Sequence, residues 1–129
     1  MNNNVKKVLF ICVENACRSQ LAEAISNYFF PDQLKAFSAG SNPAKEVNPK
    51  AIRSLNSMGI AHKGKTKSIS QVEEKKYDYI VGMGCGDACP IIPGAQILEW
   101  NIPDPKLFES KEFNKVRDMI KEKIESELL

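Results

Sequence analysis

Residues Cys12-Val13-Glu14-Asn15-Ala16-Cys17-Arg18-Ser19 sit between two patterns of different period. Ahead of them, Val8 to Cys12 is a continuous apolar run, the mark of a strand buried on both faces. Behind them an amphipathic run begins near Ser19 and reads as a helix, so the eight residues form the turn that joins strand to helix. A cysteine leaving a strand and facing the first turn of a helix meets unpaired N–H groups and the positive end of the helix macrodipole. Such a turn binds oxyanions. The same field, with Arg18 close by, favours thiolate over thiol, which makes Cys12 the expected nucleophile and Arg18 the fork that grips a tetrahedral anion. Ser19 can donate its hydroxyl to the Cys12 sulfur, and Asn15 has the donors and acceptors to hold the loop in shape.

Working outward, Val5 to Ile11 is expected as the first strand. Leu21, Ile25, Tyr28 and Phe29 share one helical face that should cover the sheet, and Pro31-Asp32 ends that helix. Leu34 to Ala39 reads as a second strand stopping at Gly40. Asn48-Pro49 resembles an N-cap followed by proline at the first helical position, with Ile52, Leu55 and Met58 facing inward and Gly59 closing the helix. Ser70-Gln71-Val72-Glu73 has the form of a capping box opening a short helix. Tyr79 to Met83 and Gln96 to Trp100 read as the third and fourth strands, and Phe113, Val116, Ile120, Ile124 and Leu128 mark a long closing helix. Strands alternating with helices give an α/β fold, a doubly wound parallel sheet of four strands in a three-layer αβα arrangement. The Cys12 turn then lies at the C-terminal end of a strand, where open parallel sheets place ligands. Without that position, a buried strand cysteine followed by a solvated arginine would be an equal alternative.

Two further stretches carry chemistry. Gly82, Gly84 and Gly86 surround Cys85, with Cys89-Pro90 just beyond, and two cysteines four residues apart on such a loop can meet if it bends. Asp104, in Ile102-Pro103-Asp104-Pro105, is held in a rigid turn after the last strand and is the general-acid candidate, against the commoner case of an Asp-Pro turn without chemistry. Lys63, Lys65 and Lys67 read as a solvated basic loop, and His62, the single histidine, as structural or exposed.

The run from Cys12 to Ala24, with Phe37-Ser38-Ala39-Gly40, Tyr77 to Met83 and Trp100 to Pro105, resembles the low-molecular-weight tyrosine phosphatase superfamily, in particular its thioredoxin-coupled arsenate reductase branch. That resemblance implies the strand order 2-1-3-4, an oxyanion cradle over Cys12 to Ser19, and bracing of the cradle from behind by Glu23 and Ser38. It implies arsenate or a phosphate-like oxyanion as substrate, with Cys12, Arg18 and Asp104 as catalytic residues. Cys85 and Cys89 are the implied thiols that resolve the adduct and pass a disulfide to thioredoxin or a similar reductant, although the family spaces these two cysteines further apart; Cys17 is a third candidate for the relay. The alternative within the superfamily is a phosphotyrosine phosphatase. Glu14 and the single aromatic Phe108 after Asp-Pro resemble the reductase branch more.

With 129 residues the chain is expected to form one domain, residues 1–129. A net charge of +2 with mixed signs makes no basic stripe, so nucleic acid is not implied. The apolar run at Val8 is interrupted too early for a membrane span, and no signal-peptide pattern follows Met1-Asn2-Asn3-Asn4. A cytoplasmic monomer without cofactor is expected. Four cysteines in that compartment are reactive or metal-binding more often than structural. Zinc fits poorly, because Cys12 and Cys17 flank an arginine that repels a cation.

Overall fold

The computed structural model describes residues 5–84 and 92–129. Four parallel strands, β1 (Lys6–Cys12), β2 (Leu34–Gly40), β3 (Tyr79–Gly82) and β4 (Gln96–Glu99), form one sheet in the order β2-β1-β3-β4. Three α-helices follow: α1 (Arg18–Phe29), α2 (Pro49–Asn56) and α3 (Ser110–Glu127). No helix among the described residues is long and apolar enough to cross a membrane.

The apolar run of β1 places it between β2 and β3, and its two faces feed two cores. Val8, Phe10 and Cys12 join Leu21 and Ile25 of α1, Leu55 of α2 and Phe113, Val116, Ile120 and Ile124 of α3. Leu9 and Ile11 face the other way, against Val72, Tyr77 and Ile80. Among the described residues that second face is covered by a 3-10 turn (Ile69–Gln71) and the segment running to Tyr77. Trp100 is fully buried and its ring lies 5.9 Å from Phe10, which ties the chain after β4 to the central strand.

Three local expectations need correction. Tyr28 and Phe29 are 53% and 38% exposed, because the last turn of α1 meets the sheet through Asn27, whose side chain bonds the Ala36 N–H and carbonyl of β2; Phe29 instead lies under the Lys121 ammonium at 5.0 Å. The inward face of α2 is Ala51, Ser54 and Leu55, with Ile52 and Met58 at its margin. Asn48 caps α2 as expected, accepting from the Lys50 N–H at 2.9 Å, and Gly59 (φ +92°) closes it as expected, its N–H donating to the Asn56 carbonyl at 3.0 Å and the Ile60 N–H to the Leu55 carbonyl at 2.9 Å. The capping box sits two residues earlier, at Ser68 and Gln71, and opens a single 3-10 turn.

Candidate active site

The strand-to-helix turn is shaped by where its carbonyls go. Those of Cys12, Val13, Glu14 and Ala16 accept from the backbone N–H groups of Ser41, Asn42, Ala44 and Asn48, at 2.8 to 3.2 Å. The Cys17 carbonyl accepts from Leu21 and starts α1. In a trans peptide the N–H of the next residue points opposite to the carbonyl, so the N–H groups of Val13, Glu14, Asn15, Cys17 and Arg18 turn away from these partners. Asn15 makes the bend, with φ 54°, a left-handed value that asparagine tolerates better than most residues. Gly40 lets the loop come this close to β2: a Cβ there would lie 2.6 Å from the Val13 carbonyl oxygen and 2.9 Å from the Asn15 nitrogen.

The result is a cleft of about 280 Å³ lined by Cys12, Val13, Glu14, Ala16, Cys17, Arg18, Asn42, Asp104 and Lys106. Thus the sequence-predicted Cys12, Arg18 and Asp104 come together although Asp104 is far away in the chain. Cys12 ends β1, and its sulfur lies 2.9 Å from the Ser19 hydroxyl. The Arg18 guanidinium is nearly buried; Nη1 donates to the Ile102 carbonyl at 3.3 Å and Nη2 lies 3.7 Å from Asp104 Oδ2. One turn therefore anchors both the cation and the carboxyl. The Asp104 side chain is half exposed, and its Oδ1 accepts from the Lys106 N–H. Gly84, at φ +100°, abuts Arg18 so closely that a Cβ would collide with Nη1. Cys85 and Cys89 themselves lie outside the described residues.

Cys17 differs from Cys12 despite sharing the turn. Burial pushes its thiol up to about 12, helped by the nearby Asp104 and Cys12 charges, so it keeps its proton at neutral pH. A protonated thiol is a poor nucleophile, which argues against Cys17 in a relay. Across the cleft mouth, the Lys106 ammonium pairs with Glu14 at 3.1 Å.

Behind the loop, Ser38 donates to Glu23 at 2.9 Å, and the Lys67 ammonium is 4.0 Å from the same Glu23 oxygen. Lys67 is thus tied to the loop's underside, whereas Lys63 and Lys65 are exposed. His62 is half-buried against Gln20, and burial pushes it down from the usual imidazole value, with Lys67 adding to the shift. Burial raises Glu23 above the ordinary carboxylate value of 4.5, while Lys67 and Ser38 pull it back. An acid raised on folding gives up its proton first in the unfolded chain. Its ionisation therefore costs stability as pH rises above 4.5 and costs nothing below that value. Glu23→Gln keeps an acceptor for Ser38 and removes the buried charge, so its melting temperature should pull ahead of the parent's as pH goes from 4 to 7. A gap that stays constant, or that closes, in a thermal melt series would contradict this placement of charge.

Two features had no local signature in the sequence. The Glu14–Lys106 pair spans 92 positions, and the bond from the Lys67 N–H to Asn15 spans 52.

The family model for low molecular weight phosphotyrosine protein phosphatases matches residues 7–128. Arsenate reductase 2 of Staphylococcus epidermidis is 39% identical over 126 residues, covering 94% of this chain and 95% of that protein. Among solved structures, an arsenate reductase in the phosphate binding state superposes with a TM-score of 0.82 at 28% identity, over 95% of both chains. The thioredoxin-dependent arsenate reductase of Corynebacterium glutamicum gives 0.77 at 31% identity, covering 98% of this chain; this chain spans 61% of the length of that one.

Proposed function

Because this chain belongs to the low molecular weight phosphotyrosine protein phosphatase family, we propose that it turns the fold's thiol chemistry to reducing arsenate to arsenite, with thioredoxin or a similar dithiol as electron donor. The observation that carries the choice is Gly84 against Arg18. The polypeptide touches the anion-gripping guanidinium and its very next residue is Cys85, with Cys89 four positions further on. A reductase needs a second thiol delivered to the nucleophile, and a phosphatase does not.

Arsenate docks on the loop's N–H groups and Arg18. The Cys12 thiolate attacks arsenic; an As–O bond breaks, and the departing oxygen takes a proton from Asp104 and leaves as water. A second thiolate, from Cys85 or Cys89, then attacks the Cys12 sulfur. The S–As bonding pair passes to arsenic, which falls from As(V) to As(III) and departs as arsenite, leaving a disulfide. The dithiol donor takes over that disulfide by exchange, and the free thiolate at Cys12 is restored.

The rim supports a small inorganic substrate. Glu14 and Lys106 join across the mouth, and the Glu14 carboxylate repels an acidic phosphopeptide. Phe108, which would have to flank a phenyl ring, packs on the main core instead, and the residue before it, Leu107, is 89% exposed. Two assays on the native protein test the reading: arsenate-dependent NADPH oxidation through thioredoxin reductase and thioredoxin, and hydrolysis of p-nitrophenyl phosphate. Arsenate should be turned over with kcat/KM at least about 100-fold above that for the aryl ester, the scale on which a misfitting site discriminates. Brisk ester cleavage with no arsenate turnover would hand the protein to the phosphatases.

A further inference from the structure

Four side chains are hydrogen-bonded in series from the protein's margin to the reacting sulfur. His62 Nε2 meets Gln20 Oε1 at 2.7 Å, Gln20 Nε2 meets Asn15 Oδ1 at 3.0 Å, Asn15 Nδ2 meets the Ser19 hydroxyl at 2.7 Å, and that hydroxyl meets Cys12 Sγ at 2.9 Å. Hydroxyl and imidazole can each donate or accept, so the direction of the series has to come from elsewhere. Two backbone groups supply it. The Lys65 carbonyl, which only accepts, takes a bond from Gln20 Nε2 at 3.0 Å. The Lys67 N–H, which only donates, gives one to Asn15 Oδ1 at 3.1 Å.

Everything else follows by elimination. With both Gln20 amide protons committed to Lys65 and Asn15, Gln20 Oε1 is an acceptor and His62 Nε2 must donate to it. With Asn15 Oδ1 filled by Lys67 and Gln20, the Asn15 amide nitrogen turns to Ser19 and donates. The Ser19 oxygen has then accepted, and its one proton is left for the Cys12 sulfur. A hydrogen bond donated to sulfur is stronger when the sulfur is anionic, and the anion is the form that attacks. Asn15, Ser19 and Gln20 are all fully buried, so no water offers an alternative partner if an amide reverses. Glycine at position 64 belongs to the same device, because a Cβ there would collide with His62 Nε2 and crowd Gln20 Oε1.

We propose that Gln20 and His62 are positioning residues that lock the orientation of the Asn15 amide and thereby aim the Ser19 proton at Cys12. They touch neither the anion nor the sulfur. This rests on Cys12 being the nucleophile, and the readout below tests that separately.

The measurement is the rate of Cys12 alkylation by iodoacetamide at pH 6.5, followed by peptide mass mapping, beside kcat and KM for p-nitrophenyl phosphate. Wild-type Cys12 should alkylate well ahead of free cysteine; if it does not, the nucleophile assignment itself fails. His62→Leu and Gln20→Met should each slow alkylation and kcat by about 5-fold, the weight of one hydrogen bond, with KM unchanged because the N–H cradle and Arg18 are intact. His62→Gln offers an amide N–H to Gln20 Oε1 and should recover to within about 2-fold of the parent. Should Gln20→Met fail to fold, the half-buried position 62 carries the comparison alone. Wild-type rates in His62→Leu, or a His62→Gln as slow as His62→Leu, would reduce both residues to packing and overturn the proposal.

Discussion

Cys12→Ser should abolish turnover of both arsenate and p-nitrophenyl phosphate, by about 10⁴-fold or more, while leaving anion binding in place. A serine hydroxyl at the end of β1 is not ionised near neutrality and cannot form the sulfur adduct that either reaction needs. The cradle is another matter. Its N–H groups are oriented by carbonyl bonds to Ser41, Asn42, Ala44 and Asn48, and Arg18 is anchored on Ile102; none of these involves the sulfur. Phosphate should therefore still raise the melting temperature of Cys12→Ser. Loss of the thermal shift together with activity would mean that the sulfur holds the loop open. Retention of an arsenate response without the sulfur would instead describe a sensor that binds oxyanions and does no chemistry on them.

What the sequence disclosed and what it hid divide along the range of the contacts. Strand β1, the turn and α1 announce themselves because each has a period or a motif of its own within a dozen residues. The buried face of α3 is equally plain, and Phe113, Val116, Ile120 and Ile124 are all buried as their spacing requires. Tyr28 and Phe29 satisfy the same spacing rule and are exposed, because periodicity says which residues share a face but not which residue of the turn meets the sheet, here Asn27 on Ala36. At the capping box the chain offers two overlapping solutions, Ser68 with Gln71 and Ser70 with Glu73. Position decides between them: Ser68 bridges to Gly40 at the end of β2, its N–H donates to Gln71 Oε1 at 2.7 Å, and Val72 is then buried. The supports of the Cys12 loop were the least legible part. Gln20 reads as a polar helix residue, His62 as a stray histidine in a lysine-rich stretch, and only the fold brings them together across 42 positions.

Cys89→Ser separates the two chemistries that the Cys12 site could run. Ester hydrolysis needs the nucleophile, Arg18, Asp104 and a water to resolve the covalent intermediate, so p-nitrophenyl phosphate cleavage should stay within about 2-fold of the parent. Arsenate turnover needs electrons as well, and the thiolate–arsenic adduct releases arsenite only when another sulfur takes the bond to Cys12. With one of the two thiols missing, the disulfide cannot be passed on to the donor, and thioredoxin-coupled turnover should fall by about 100-fold or more. The pre-steady state then orders the thiols. If Cys85 makes the first attack, Cys89→Ser should still release one arsenite per protein and stop with Cys12 and Cys85 joined, a bond that mass mapping identifies. If Cys89 attacks first, no arsenite burst appears and Cys85→Ser shows it instead. Cys17 should appear in neither disulfide, because burial and its anionic neighbours push its thiol up to about 12 and disfavour the attacking thiolate. Undiminished arsenate turnover in a variant with both Cys85 and Cys89 replaced by serine would leave the reduction without a second sulfur, and the reductase reading would fall even with Cys12 active.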